Sequence, residues 1–111
     1  MNMLLRHNDG GIPAVNSFID NQERAEHVAE IVKAFAHPLR LRILAILSKE
    51  QDNVTGLANR LGASQPDVSH QLAIMRTHGI LACERKGTVV RYGLARPRLK
   101  GLIDYLEGCE E

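Results

Sequence analysis

The chain has 111 residues, 44% of them hydrophobic and 24% charged, with a net charge of +1, the size and composition of one ordinary soluble domain. No apolar run approaches the roughly 20 residues that span a bilayer, and residues 1–11 carry no signal-peptide pattern. The expected location is the cytoplasm, where the two cysteines, Cys83 and Cys109, are free thiols too few and too distant for a disulfide framework or a zinc cage.

Residues 1–15 read as a mobile arm, with loop chemistry at Asn8-Asp9-Gly10-Gly11 and Pro13. Residues 16–111 read as a single domain without internal repeats. A first helix is expected from about Asp20, an N-cap residue with Glu23 three positions on. Ala25, Val28, Val32 and Phe35 then recur at helical spacing. His37-Pro38 ends it, because a residue before proline is pushed out of the helical region, and Pro38 can open the next helix. That second helix should bury Leu41, Leu44 and Leu47, with Ile43 and Ile46 widening the face and Arg40 and Arg42 outside.

After a polar loop, Val54, Leu57, Ala58 and Leu61 anchor a short third helix, and Gly62 follows as a helix stop. Ser64 can cap a fourth helix with Pro66 in its first turn and a buried stripe of Val68, Leu72 and Met75. The period then changes. Residues 80–84 read as a strand, Arg85-Lys86-Gly87-Thr88 as a turn, and residues 89–94 as a returning strand with Val90, Tyr92 and Leu94 on one face. Residues 97–108 close the chain as a helix with Leu99, Leu102, Ile103 and Leu106 apolar. The fold class is mainly α with a β-hairpin: four helices, a hairpin and a last helix.

Charge is distributed unevenly. From Arg60 to Lys100 eight basic residues face only Asp67 and Glu84, whereas the first helix and the last eleven residues are acid-rich. One basic region between acidic ones suits a face for a polyanion, although a scattered solvated surface would give the same count. Within that region, residues 54–79 form a helix, a tight turn and a second helix, the helix-turn-helix pattern. The outward side chains of the second helix include Gln65, Ser69, His70 and Gln71, short or amide groups that can exchange hydrogen bonds with base edges in the major groove. An amphipathic helix with a polar outside would look similar. What separates the two is the hairpin that follows, with Arg85 and Lys86 near its tip, a wing able to touch backbone or minor groove.

Residues 34–94 resemble the arsenic-repressor (ArsR/SmtB) family of winged helix-turn-helix regulators. The resemblance is carried by Ala36-His37-Pro38-Leu39-Arg40-Leu41-Arg42-Ile43-Leu44, by Leu57-Ala58-Asn59-Arg60-Leu61, by Ser64-Gln65-Pro66-Asp67-Val68-Ser69-His70-Gln71-Leu72, and by Gly79-Ile80-Leu81. The hairpin Arg85-Lys86-Gly87-Thr88-Val89-Val90-Arg91-Tyr92 matches as well. It implies a homodimer that binds double-stranded DNA at an inverted repeat, represses transcription and is released by an inducer. The DNA contacts expected are Ser64, Gln65, Asp67, Ser69, His70, Gln71 and Arg76 on the helix, with Arg85, Lys86 and Arg91 on the wing. The interface expected between the first and last helices uses Val28, Val32, Phe35, Leu99, Leu102 and Leu106.

Many members of that family sense metals. The positions matching their cysteine site are Asn53 and Thr55, poor ligands for soft or borderline ions. The matching last-helix site has Asp104 and Glu107 but no histidine. Neither usual metal site, and no cofactor, is expected; a non-standard site across the dimer, from His7, His27 or Cys109, stays open. A redox or reactive-sulfur response through Cys109 or Cys83 is the other alternative. Cys83 reads as a partly buried strand thiol, and Cys109 sits among Glu107, Glu110 and Glu111, whose charge works against a thiolate. No phosphate-cradling glycine loop, His-Glu metal pair or nucleophile–base spacing speaks for an enzyme.

Overall fold

In the computed structural model, residues 17–109 are described. The expected arm, residues 1–15, lies outside them. Among the described residues five helices and one hairpin run in the order α1 (Gln22–Lys33), α2 (Pro38–Leu47), α3 (Val54–Leu61), α4 (Gln65–Thr77), β1 (Leu81–Lys86), β2 (Val89–Leu94) and α5 (Arg98–Glu107). The chain divides after Glu30 into a short N-terminal unit and a larger one.

In the first unit the helix start differs from expectation. Asn21, not Asp20, is the cap: its side-chain oxygen accepts from the Arg24 N–H at 2.9 Å and its carbonyl from Ala25 at 3.1 Å. The capping residue sits directly before the first helical one, and Asp20 is one position too early. Arg24 also lies over the Phe18 ring, 5.8 Å from its centroid.

In the second unit local chemistry explains most boundaries. His37 is extended at φ −154° and its Nδ1 accepts from Leu39 N–H at 3.1 Å, so the imidazole caps α2 while Pro38 opens it. The Asn53 side chain accepts from Gly56 N–H at 2.7 Å and caps α3; Gly62 ends it in the left-handed region at φ +64°. Ser64 Oγ accepts from Asp67 N–H at 3.2 Å and caps α4.

The core gathers Ile43, Leu44 and Leu47 from α2, Leu57 and Ala58 from α3, and Val68, Leu72 and Met75 from α4. Ile80, Leu81 and Ile103 close it from the hairpin base and α5. Each large aliphatic side chain so buried contributes roughly 1.5–3 kcal/mol. Leu41, expected inside, is 41% exposed, because Ile43 takes the inward place beside Leu44 and Leu47. Phe35, expected at a subunit interface, is only 6% exposed and belongs to the core, because the chain leaves the helix at Lys33 and the turn carries the ring inward.

β1 and β2 pair antiparallel from Leu81↔Leu94 to Lys86↔Val89, leaving Gly87-Thr88 as a two-residue turn with Gly87 at φ +65°. Glycine first in such a loop is the type II′ pattern that suits strand twist. Arg85 and Lys86 therefore belong to the strand and not to the turn. Asp52 adds a single-residue bridge on the free edge of β2: its N–H donates to the Tyr92 carbonyl at 3.1 Å and Tyr92 N–H donates back at 2.7 Å. That bridge ties the hairpin to the loop before α3 and shields part of an otherwise open edge.

Candidate nucleic-acid interface

α3 and α4 pack on each other across the Gly62 turn, and α4 packs on β1. The arrangement is a helix-turn-helix with a hairpin wing. Val68, Leu72 and Met75 face inward from α4, and Ser64, Gln65, Asp67, Ser69 and His70 are exposed. Pro66, at the second helical position, has no N–H of its own to leave unpaired. Asp67 N–H turns back to the cap, so the amides not engaged in capping point, with the positive end of the helix dipole, out of the N-terminus. Such an end favours an anion. The Asp67 carboxylate in the same turn favours the helix for the same reason but opposes a phosphate approaching it.

Arg76 is exposed too, but it lies eleven residues after Gln65, about 16 Å along the axis at 1.5 Å per residue. It belongs to the far end of α4 and not to the N-terminal cluster. Gln71 differs from its neighbours: it is half-buried, and its side-chain oxygen accepts from Arg40 Nε at 2.6 Å. Arg40, read as an outward residue of α2, is half-buried and also donates from Nη1 to the Ala34 carbonyl at 2.9 Å. No local pattern could reveal this, since Arg40 and Gln71 are 31 positions apart.

On the wing the register separates the basic side chains. Leu81, Cys83 and Arg85 share a face with Val90, Tyr92 and Leu94; Glu84 and Lys86 share the other with Val89 and Arg91. Arg85 and Lys86 are both exposed and project to opposite sides of the ribbon. Arg91 stands across from Glu84, and one guanidinium nitrogen donates to the Gln51 carbonyl at 3.0 Å, so part of its donor fork holds the wing to the preceding loop.

The residues matching the usual metal positions do not fit a metal. Asn53 Oδ1 is committed to capping α3, and Thr55 lies with it in a cleft of about 310 Å³ whose other walls are Val54, Thr88, Val89 and Val90. That lining offers no thiolate, imidazole or carboxylate. On α5, Asp104 is paired with Lys100 at 3.2 Å and Glu107 with Lys49 at 3.3 Å. Among the described residues no three His, Cys, Asp or Glu side chains gather as a metal site; His7 lies outside those residues. Cys83 is half-buried and lines an open cleft of about 370 Å³ with Gln51, Glu84 and Arg91, and Cys109 is exposed. Of the expected interface residues, Val28 and Leu99 are half-buried, while Val32, Leu102 and Leu106 are 46%, 42% and 39% exposed. Tyr105, not among those expected, is 70% exposed on the same helix as the leucines. Among the described residues no helix is long and apolar enough to cross a membrane.

The model of the bacterial regulatory protein, arsR family, matches residues 37–82, from the His37 cap to the second residue of β1. The HTH-type transcriptional regulator NmtR of Mycobacterium tuberculosis is 37% identical over 86 residues, which cover 78% of this chain and 71% of that protein. The crystal structure of the transcriptional repressor BigR from Xylella fastidiosa superposes with a TM-score of 0.72 at 29% identity, over 86% of this chain and 99% of that one. A solution structure of a homodimeric winged helix-turn-helix DNA-binding domain from Mycobacterium bovis gives a TM-score of 0.69 at 26% identity, over 75% of this chain and 77% of that one.

Proposed function

The chain belongs to the ArsR family of bacterial regulatory proteins, DNA-binding winged helix regulators and not enzymes, and from that premise we propose that it is a cytoplasmic homodimeric repressor. It binds an inverted-repeat operator in double-stranded DNA and leaves it when an inducer binds. The observation that carries this reading is the capped N-terminus of α4, with Gln65, Ser69 and His70 exposed beside it and a wing bearing Arg85 and Lys86 on two faces. The helix end and its polar side chains suit the major groove. The wing cations suit phosphates or the minor groove.

Gln65, Ser69, His70 and Gln71 form the base-reading group in this proposal, and Ser64 and Asp67 meet the DNA at the helix end. Arg76, Arg85, Lys86 and Arg91 supply affinity. Val28 and Val32 with Leu99, Leu102 and Leu106 supply the dimer surface, and residues 16–111 act as one functional domain. The inducer is not an ion held at either usual metal position, because their side chains are caps, hydroxyls and lysine-paired carboxylates. Exposed Cys109 and half-buried Cys83 make an oxidant or reactive sulfur species the inducer chemistry to test first.

The test is selection from a random duplex pool, followed by binding to the selected duplex at two salt concentrations. The expected result is an imperfect inverted repeat with half-sites about 34–36 Å apart and affinity that falls steeply with salt. A monomer in sedimentation at micromolar concentration, together with salt-independent binding, would overturn it.

A further inference from the structure

One side chain on α4 is not at liberty to choose its hydrogen-bond partner. Arg40 on α2 donates from Nε to Gln71 Oε1 at 2.6 Å and from Nη1 to the carbonyl of Ala34, just past the end of α1, at 2.9 Å. A guanidinium has five donors and no acceptor, so the orientation of the amide follows without ambiguity: oxygen toward Arg40, NH2 away from it. Both side chains are half-buried, and the bond is charge-assisted, which makes it shorter and stronger than a neutral one. The second bond holds the guanidinium in place, since Arg40 turning away would leave the carbonyl of buried Ala34 without that donor. Among the described residues the Gln71 amide nitrogen donates to nothing in the chain.

An unconstrained glutamine reads adenine by using both ends of its amide, accepting from N6 and donating to N7. Gln71 has one lone pair of its oxygen on Arg40 and its NH2 turned away from Arg40, and two N–H donors find two adjacent acceptors on guanine, O6 and N7, but only N7 on adenine, beside an N6 donor. We propose that Arg40 is a positioning residue for DNA recognition: it fixes the orientation of the Gln71 amide with its NH2 toward the base, and so sets a preference for guanine over adenine at the base Gln71 faces. The proposal rests on the reading of α4 as the base-reading helix and adds to it which edge chemistry one of its side chains can select.

The experiment compares sequence profiles from the same random duplex pool for the wild type and for Arg40→Ala, Arg40→Lys, Gln71→Ala and Gln71→Glu, with thermal melts of each protein. Arg40→Lys keeps the charge but has no fork to span both acceptors. Gln71→Glu keeps the bond to Arg40 but has no donor left for a base. The wild type is expected to enrich guanine at one position of each half-site. All four substitutions should reduce that preference at that position by about fivefold or more, the lower end of what a base contact discriminates. Arg40→Ala alone should move the preference toward adenine, and combining it with Gln71→Ala should give the profile of Gln71→Ala alone. Should Arg40→Ala fail to fold, Arg40→Lys and Gln71→Glu carry the same comparison. Folded Arg40 variants that weaken all sequences alike with an unchanged profile would overturn the proposal and make Arg40 a phosphate contact or a purely structural residue. A wild type that enriches no sequence would bring down the assignment of α4 itself, an outcome distinct from a normal motif that Arg40 does not influence.

Discussion

Single side chains at helix ends do two jobs in this chain, and the two can be separated at Ser64. Its Oγ accepts from the Asp67 N–H and so stabilises α4, and its side chain is exposed at the helix end that the proposed function turns toward DNA. Ser64→Ala should lower folding stability by about 1 kcal/mol and weaken DNA binding. Ser64→Asp keeps a capping oxygen and should preserve stability in urea unfolding, yet bind DNA more weakly than Ser64→Ala because a second acid joins Asp67 in front of phosphate. If the aspartate variant bound DNA as well as the wild type, the N-terminus of α4 would not face the backbone. Helix boundaries were legible in the sequence where they depend on a few neighbouring residues, as at Ser64, Pro38 and Gly62, whereas the side-chain caps His37 and Asn53 were not read. The misplacement of the first cap by one residue, from Asn21 to Asp20, has the same origin: both are good caps, and only the backbone path decides between them. Arg40 was not legible, because its partners Gln71 and Ala34 meet it only once three segments have packed.

Among elements, the wing shows what periodicity conveys and what it omits. Alternation correctly put Val90, Tyr92 and Leu94 on one face. It missed that the pairing continues to Lys86↔Val89, because charged residues with low strand propensity beside a glycine read as turn. The correction has a functional consequence. In a turn both cations would share one flexible loop, whereas in the strand the pleat sends them to opposite sides. Arg85→Ala and Lys86→Ala are therefore expected to act independently, each weakening binding to all sequences and each flattening the slope of log K against log salt by about 0.9 where it meets one phosphate. The measurement is a salt titration of binding to the selected duplex for both single variants and the double one. A changed base preference on removing Lys86 would instead make the wing a reader. The Asp52–Tyr92 bridge was also out of reach of the sequence, as one residue pair 40 positions apart has no period. It nevertheless fixes the wing against the segment that leads into α3.

For the whole molecule the proposed function turns on a second copy and on an inducer. The two thiols stand in different settings, Cys109 exposed near the chain end and Cys83 half-buried in the cleft that Arg91 also lines. If thiol chemistry is the trigger, polysulfide or peroxide should release wild-type protein from its duplex and leave a Cys83→Ser/Cys109→Ser variant bound; identical responses would place the inducer elsewhere. The dimer itself is testable from α5. Ile103 points into the core at 4% exposure, while Leu102, Tyr105 and Leu106 on the same helix are 42%, 70% and 39% exposed. The helix thus carries a second apolar face that the single chain leaves in water, and grouped exposure of that kind marks an interaction surface. Because Leu102 and Leu106 already lie partly open, replacing both with aspartate should leave the fold of the single chain nearly as stable as before, while burying two like charges per subunit in the interface. Sedimentation should then report a monomer. Affinity for a duplex with two half-sites should fall by about 10²–10⁴-fold, the gain that linking two binding events supplies, while binding to an isolated half-site should be nearly unchanged. A Leu102→Asp/Leu106→Asp variant that stays dimeric and binds the full duplex normally would show that the second copy docks on a different face.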